Sequence, residues 1–199
     1  TRRSSDLIEI GFVVSCAGGD TEFGNFLDRS LESQEALLLR NCTLLMRTCH
    51  HFGSQMKAKG RGGIVILSSG AAVAGAPGLA TYSGTKAFDL LFAESLWGEL
   101  KPKGVDVLCL MLADIDTPTL RHQMLIRGKI ASMDEAPKGA TPAAFVAEEA
   151  LRYIDKGPTR IISRKLQIGS RIMGLLGRNT AVAIMSAAAK KIMGSNTET

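Results

Sequence analysis

Three side chains that can act together on a carbonyl group are closely spaced in the middle of the chain. Tyr82 and Lys86 lie four residues apart, and Ser69 precedes Tyr82 by thirteen residues. If the segment around Tyr82 is helical, the Tyr82 phenol and the Lys86 ammonium share one face. The ammonium can then stabilise the phenolate, so that the tyrosine exchanges a proton near neutral pH. The spacing predicts a site where a hydroxyl, a phenol and an amine converge on one oxygen atom.

The elements around this group favour a shared site, although a Tyr and a Lys four residues apart also occur by chance on helix surfaces. A buried strand is predicted to carry Ser69 to its carboxyl end, where open α/β sheets bind their ligands. Asn41 falls in the helix predicted before this strand, and Thr117 closes the strand predicted after it. The predicted ranges are 31–57 for the helix, 62–67 for the buried strand and 105–113 for the following strand.

In this order and spacing the residues resemble the classical short-chain dehydrogenase/reductase family, from about residue 13 to residue 117. Ser69, Tyr82 and Lys86 match the catalytic triad of that family, and Asn41 matches the helix asparagine that completes its tetrad. The resemblance implies an α/β fold with a Rossmann-type, doubly wound parallel sheet. It also implies reversible hydride transfer between NAD or NADP and a carbonyl group or secondary alcohol.

Two further motifs match the family with substitutions. The sequence Ser15-Cys16-Ala17-Gly18 resembles the Asn-Asn-Ala-Gly motif at a strand end, with Ser15 and Cys16 in place of the two asparagines. Residues 112–117 resemble the Pro-Gly-x-x-x-Thr motif, with Leu and Ala in place of Pro and Gly. By resemblance, the residues in contact with the cofactor are Ser15, Cys16, Ala17, Gly18, Tyr82, Lys86, Ile115 and Thr117.

The resemblance also assigns a role to each catalytic residue. Tyr82 would be the acid in reduction and the base in oxidation, and Ser69 would hydrogen-bond the same substrate oxygen. Lys86 would stabilise the Tyr82 phenolate and hold the nicotinamide ribose, and Asn41 would anchor a water molecule in the proton path. A hydrophobic substrate is expected from residues 71–74 and from the Met-rich stretch after residue 119.

The beginning of the family pattern has no counterpart in this sequence. Members of the family open with a strand, a Gly-x-x-x-Gly-x-Gly turn and a helix that binds the pyrophosphate. Here the counterpart of the fourth strand is residues 10–14. At roughly 30 residues per βαβ unit, on the order of 60 to 75 residues would precede it in a complete member. We expect either a piece of a longer protein or a relative that lost its cofactor-binding part.

Composition indicates one domain over residues 1–199. The chain is 45% hydrophobic and 22% charged, which is typical of a globular α/β protein. No apolar run reaches the 18 residues that a membrane span requires. The four cysteines are isolated, which favours reduced thiols and a cytoplasmic location, and no metal site is expected because the three histidines lack clustered partners. The histidines are His50, His51 and His122.

Two segments after residue 117 are predicted to lie outside the main sheet. Residues 118–138 correspond to the substrate loop of the family, and residues 166–199 form a basic amphipathic segment. Residues 151–199 carry 9 basic and 2 acidic side chains, whereas residues 1–150 carry 15 and 17. Two interpretations remain open for the segment: a substrate lid or subunit interface, or contact with a membrane surface. Nucleic acid is not expected, because aromatic residues do not alternate with the basic ones.

Partners and alternative functions complete these expectations. The helices around Asn41 and Phe88 carry more apolar residues than one core face needs, which predicts a homodimer or homotetramer. The outer face is predicted to include Leu45 and Leu91. A non-catalytic interaction module and an epimerase or dehydratase that uses bound cofactor without net oxidation remain as alternatives to the oxidoreductase.

Overall fold

A computed structural model describes residues 9–20, 22 and 24–193, with the backbone alone for residues 190–193. Residues 194–199 of the predicted C-terminal segment lie outside the described residues. The strands are β1 (Phe12–Ser15), β2 (Gly62–Ser69), β3 (Val105–Leu112), β4 (Ile115–Asp116), β5 (Thr141–Pro142) and β6 (Thr159–Ile161). The α-helices are α1 (Leu31–Leu38), α2 (Leu44–Lys59), α3 (Ala80–Leu100), α4 (Pro118–Ile126), α5 (Ala143–Tyr153), α6 (Arg164–Leu175) and α7 (Arg178–Met193).

The main sheet is parallel, with the strand order β1-β2-β3-β6. Strands β2 and β3 pair over their full length, from Gly62 beside Val105 to Ser69 beside Leu112. All four strands therefore end at one edge, where the carboxyl ends of parallel strands and the loops that follow them meet. The predicted Rossmann-type parallel sheet is confirmed.

Helices cover both faces of this sheet. On one face, side chains of α2 and α3 pack against alternate residues of β2 and β3, among them Ile64, Ile66 and Val107. On the other face, α5 packs against the intervening residues, such as Val65 and Leu108. Because β2 and β3 are buried on both faces, their sequences are continuous apolar runs rather than alternating patterns.

The helix predicted over residues 31–57 is interrupted where Asn41 lies. A π-helical segment, Leu39–Thr43, separates α1 from α2, and the Leu44 N–H donates to the Leu39 carbonyl. Leu37, Asn41 and Leu45 are spaced by four residues and all are buried. In a regular α-helix, with 3.6 residues per turn, each step of four residues advances about 40° beyond a full turn. Leu45 would then lie about 80° away from Leu37 around the helix axis. The wider π turn keeps the three residues on one face.

The predicted boundaries of β1, β2 and β3 differ from the structure, and β2 continues to Ser69 rather than ending at residue 67. Strand β1 begins at Phe12 rather than residue 10, because Gly11 contributes only its carbonyl, which accepts from the Gly63 N–H. Strand β3 ends at Leu112, and Thr117 does not close it. Instead the Thr117 side chain accepts a hydrogen bond from the Leu120 N–H and caps the amino end of α4.

Residues 117–140 form an excursion between β4 and β5, which pair with each other in a separate two-stranded sheet. Strands β4 and β5 pair in parallel on either side of this stretch, with Ile115 beside Thr141. The Arg121 guanidinium donates to both Asp116 carboxylate oxygens and to the Met133 carbonyl. The hydrogen bond from Arg121 lowers the pKa of Asp116. The excursion over the carboxyl edge of the sheet is thus fixed at its base.

Large apolar side chains are exposed on α1, α2 and α3 and on the π segment that joins α1 to α2. The prediction that Leu45 belongs to this outer face is wrong, because Leu45 is buried in the core against the sheet. The π segment shifts the phase of the helix, so that its neighbour Leu44 is exposed instead. The large apolar residues exposed here are Leu31, Leu38, Leu39, Leu44, Met46 and Leu91.

We expect this surface to mediate self-association, since a closed two-fold contact would bury it. Replacing Leu44 and Leu91 with glutamate should convert the oligomer to monomers in sedimentation velocity. Leu151→Glu, at an equally exposed apolar residue of α5, is the matched control and should leave the oligomer unchanged. A monomeric parent protein, or an oligomer that survives both glutamates, would show that this surface does not join subunits.

Within the described residues, no helix is long and apolar enough to cross a bilayer.

Candidate active site

A cleft of about 770 Å³ lies at the carboxyl edge of the sheet. The ends of β2 and β3 and the residues that follow β1 form its floor, and α3, α4 and α6 contribute to its walls. Ser69, Tyr82 and Lys86 all line this cleft, together with Gly18 and Thr117. The structure thus brings the three residues of the predicted triad to one cavity.

Strand β2 and the turn after it position Ser69. The residue is the last of the strand, and its side chain caps the short 3₁₀ turn Gly70–Ala72 by accepting from the Ala71 N–H at 3.2 Å. An accepting hydroxyl keeps its own proton for donation. Ser69 can therefore donate to an oxygen atom of a bound molecule in the cleft.

Tyr82 and Lys86 lie on the first turns of α3, but the Lys86 ammonium has partners besides Tyr82. Its Nζ atom is 5.9 Å from the centre of the Tyr82 ring. The same atom donates to the Leu67 carbonyl and to the Asp89 carboxylate, both at 2.9 Å. These two bonds use two of the three N–H groups of a lysine, which leaves one for the cleft.

Asp89 is a member of the site that the sequence analysis missed. It is one turn beyond Lys86 on α3 and 2% exposed. Burial raises the pKa of Asp89, and the Lys86 ammonium opposes that rise. Opposite charges three residues apart, with apolar residues on either side of Asp89, were the available signal. That signal is weak by itself, because the same spacing is common on solvated faces.

Thr85 and Ser68, also missed, join the parts of the site through hydrogen bonds. Asn41 donates to the Thr85 hydroxyl at 2.9 Å, and that hydroxyl donates to the Tyr82 carbonyl at 2.8 Å. The Ser68 hydroxyl donates to the Lys86 carbonyl at 2.7 Å. The π segment, α3 and β2 are therefore connected directly behind the cleft.

Asn41 lies behind the cleft rather than in its lining. The residue is 1% exposed, and among the described residues its Oδ1 atom accepts no hydrogen bond. Gly18 stands between Asn41 and the cleft: a Cβ atom on Gly18 would be 3.0 Å from Lys86 Nζ and 3.4 Å from Asn41 Cγ. With φ at +126°, Gly18 also occupies a backbone conformation that other residues rarely adopt.

The predicted cofactor contacts are only partly in the cleft. Cys16 and Gly18 line it after β1, and Ile115 and Thr117 line it after β3. In the described part of the chain, Ser15 and Ala17 do not line it. Ser15 and Ala17 flank Cys16, and neighbouring side chains of an extended segment point in opposite directions, which accounts for their absence from the lining.

Apolar side chains supply most of the remaining lining. Helix α6 borders the cleft through Leu166, Gly169 and Met173, and a contact from α7 comes through Met185. The outer side of α6 exposes further apolar residues, including Ile168, Ile172 and Leu175. Among the described residues, no group of three His, Cys, Asp or Glu side chains could hold a metal ion.

Comparison with known proteins agrees with this geometry. The family model described as short chain dehydrogenase matches residues 4–125. The 7beta-hydroxysteroid dehydrogenase of Collinsella aerofaciens is 30% identical over 115 residues, which are 57% of this chain and 43% of that protein. The 17-beta-hydroxysteroid dehydrogenase type 3 of Mus musculus is 30% identical over 163 residues, which are 77% of this chain and 53% of that protein.

A solved structure of a 7beta-hydroxysteroid dehydrogenase superposes with a TM-score of 0.79 at 23% identity, covering 92% of this chain and 69% of that chain. At this identity the likeness establishes the fold alone. The family match covers more than half of the sequence, and the chain belongs to the short chain dehydrogenase family. It spans about half the length of the curated relatives it matches.

Proposed function

We propose that the protein is an NAD(P)-dependent oxidoreductase that transfers hydride between a nicotinamide cofactor and a carbonyl group or secondary alcohol of a hydrophobic molecule. The observation that carries the proposal is the convergence of Ser69, Tyr82 and Lys86 in one largely apolar cleft at the carboxyl edge of the sheet. Membership of a family of oxidoreductases supports the reaction class.

Tyr82 would exchange the proton at the reacting oxygen. In reduction its phenol gives a proton to the carbonyl oxygen, and in oxidation its phenolate takes the proton of the alcohol. Ser69 would donate a hydrogen bond to the same oxygen and stabilise the charge that develops on it. The capped turn supports this role. The Ser69 hydroxyl oxygen accepts from the Ala71 N–H, so the hydroxyl proton remains available for a hydrogen bond to the substrate.

Lys86 and Asn41 would act behind the reacting oxygen. The ammonium stabilises the Tyr82 phenolate by charge, and its remaining N–H can hold a ribose hydroxyl. The buried Asn41 Oδ1 atom has no described donor, which suits an acceptor for a water molecule in the proton path. The hydrogen bonds through Thr85 connect this acceptor to the backbone of Tyr82.

The residues around the cleft fit the nicotinamide half of NAD or NADP. Gly18 carries no side chain where a Cβ atom would crowd Lys86, so a flat ring or a ribose can approach the ammonium. Cys16 and Gly18 on one side and Ile115 and Thr117 on the other would hold the cofactor, and the contacts predicted for Ser15 and Ala17 would be limited to their backbone. When bound, the cofactor supplies or accepts the hydride.

The lining supports a bulky apolar substrate. Met124 of α4, with Leu166 and Met173 of α6, provides apolar surface in the cleft that Tyr82 lines. Residues 118–138 would be the substrate loop, and α6 would be a wall or lid. Two relatives are named hydroxysteroid dehydrogenases, whose substrates are large apolar carbonyl compounds or alcohols by that name. We retain contact with a membrane surface as a second proposal for α6, because this helix exposes Ile168, Ile172 and Leu175.

The test is an assay of the complete protein with NADH and NADPH against ketones of increasing apolar size. We expect net oxidation of one cofactor, with a kcat/KM that rises with apolar size. Met173→Ala should lower kcat/KM for the largest ketone on the order of tenfold, because it removes apolar contact in the cleft. Ile172→Ala, on the exposed side of the same helix, is the control and should change little. Absence of net cofactor oxidation across the panel would refute the proposal.

A further inference from the structure

The Lys86–Asp89 pair sits within the protein interior. The side chains are 5% and 3% exposed, and their charged atoms are 2.9 Å apart. Lys86 lines the cleft, whereas Asp89 lies behind it and does not. The second carboxylate oxygen of Asp89, Oδ1, is buried and has no described partner. Among the described residues, Lys86 is thus the one side chain that hydrogen-bonds the Asp89 carboxylate.

Other titratable groups around the pair are buried thiols, the buried Asp20 carboxylate that is paired with Arg29, the half-buried Glu94 of α3, and side chains at the surface. The thiols of Cys42, Cys49 and Cys109 are close enough to Asp89 to feel its charge, and burial raises the pKa of each, to about 11 for Cys49 and to about 12 for Cys109. The remaining titratable side chains of the cleft are Cys16, Asp20, Asp114, Arg127 and Lys165. On α1, the π segment, α2 and the 3₁₀ turn that follows α3, the exposed charged residues are Glu32, Glu35, Arg40, Arg47, Lys57, Lys59, Lys101 and Lys103.

We propose that Asp89 is a positioning residue for Lys86. The Asp89 carboxylate holds the Lys86 ammonium at the floor of the cleft and offsets part of the ammonium charge. Asp89 thereby sets the pH at which Tyr82 exchanges its proton. The inference rests on the proposed function of Tyr82 and Lys86. Asp89 touches neither the substrate nor the cofactor in this arrangement, and it acts through Lys86 alone.

The direction of the effect follows from charge. A cation beside a phenol favours the phenolate, and an anion bound to that cation weakens the effect. Removal of the Asp89 charge therefore leaves the Lys86 charge uncompensated, and Tyr82 should lose its proton at lower pH. Low dielectric around the buried pair makes the interaction stronger than at a surface. A shift on the order of one pH unit is expected.

The experiment titrates Tyr82 by its tyrosinate absorbance in Asp89→Asn, with the matching Tyr82→Phe spectrum subtracted to isolate the Tyr82 signal. A Tyr153→Phe background removes the other tyrosine of the sequence. Asp89→Ser is measured in parallel, because its small side chain leaves room for water beside the ammonium if the asparagine variant does not fold. Asp89→Glu keeps the charge and should restore the midpoint of the parent protein.

The proposal predicts a midpoint lower by on the order of one pH unit in the uncharged variants. The rising limb of alcohol oxidation should move by the same amount to lower pH. A midpoint that stays in place or rises, even with a loss of thermal stability, would assign Asp89 a structural role only and overturn the proposal. The titration needs no turnover, so its failure is distinct from failure of the proposed function, which the activity of Tyr82→Phe tests.

Discussion

Tyr82→Phe in the complete protein is expected to remove nearly all turnover and to leave the fold intact. The substitution deletes one hydroxyl, and the aromatic ring remains packed on α3. General acid–base catalysis contributes on the order of a hundred- to ten-thousand-fold to a rate, so a loss in that range is expected at saturating cofactor. Steady-state rates and the thermal unfolding temperature are the two measurements.

Tyr153→Phe is the matched control for this substitution. Tyr153 is the second tyrosine of the sequence and lies on α5, on the opposite face of the sheet, where its ring stacks with the Arg160 guanidinium at 3.9 Å. A phenylalanine keeps that stacking surface, so turnover should stay near the parent value. Comparable rates in the parent and in Tyr82→Phe would remove Tyr82 from the reaction.

Lys86→Met is expected to reduce both turnover and stability. The substitution removes the charge that supports the Tyr82 phenolate, and it leaves the buried Asp89 carboxylate without its partner. Removal of one member of a buried pair costs about 3–5 kcal/mol of unfolding free energy. Denaturant unfolding and steady-state kinetics on the same variant measure the two effects.

The double variant Lys86→Met with Asp89→Leu separates the two effects. Replacement of a buried ion pair by apolar side chains of similar volume is often neutral or stabilising. We therefore expect the unfolding free energy to return close to that of the parent while turnover stays low. Recovery of turnover together with stability would contradict a catalytic role for Lys86 and would leave the pair with a structural role only.

The sequence was sufficient for the parts of the fold that depend on local patterns. The apolar runs of β2 and β3 predicted buried parallel strands, and both the family and the Rossmann-type sheet are confirmed. The π segment was not predictable, because it depends on burial of Asn41 against Thr85 of a distant helix. The error at Leu45 follows from it, since an extra residue in the turn changes which side chains face the core.

The candidate site was predictable to a similar extent. The spacing of Ser69, Tyr82 and Lys86 indicated which residues meet, and the cleft brings them together. The partners of the lysine were not indicated, because the approach of the Leu67 carbonyl and of Asp89 depends on how α3 packs on β2. For Ser15 and Ala17 the motif gave positions but not side-chain directions.

Hydride transfer in the cleft can be followed directly with deuterium, by use of a reduced nicotinamide cofactor that carries the label at the hydride position. The complete protein is incubated with this cofactor and an apolar ketone, and the product alcohol is analysed by mass spectrometry. Hydride transfer in this cleft predicts one deuterium on the carbinol carbon of each product molecule, and at least a hundredfold less product with Tyr82→Phe in the same time. Product without deuterium, or substrate conversion without net oxidation of the cofactor, would contradict hydride transfer at the Ser69–Tyr82–Lys86 cleft.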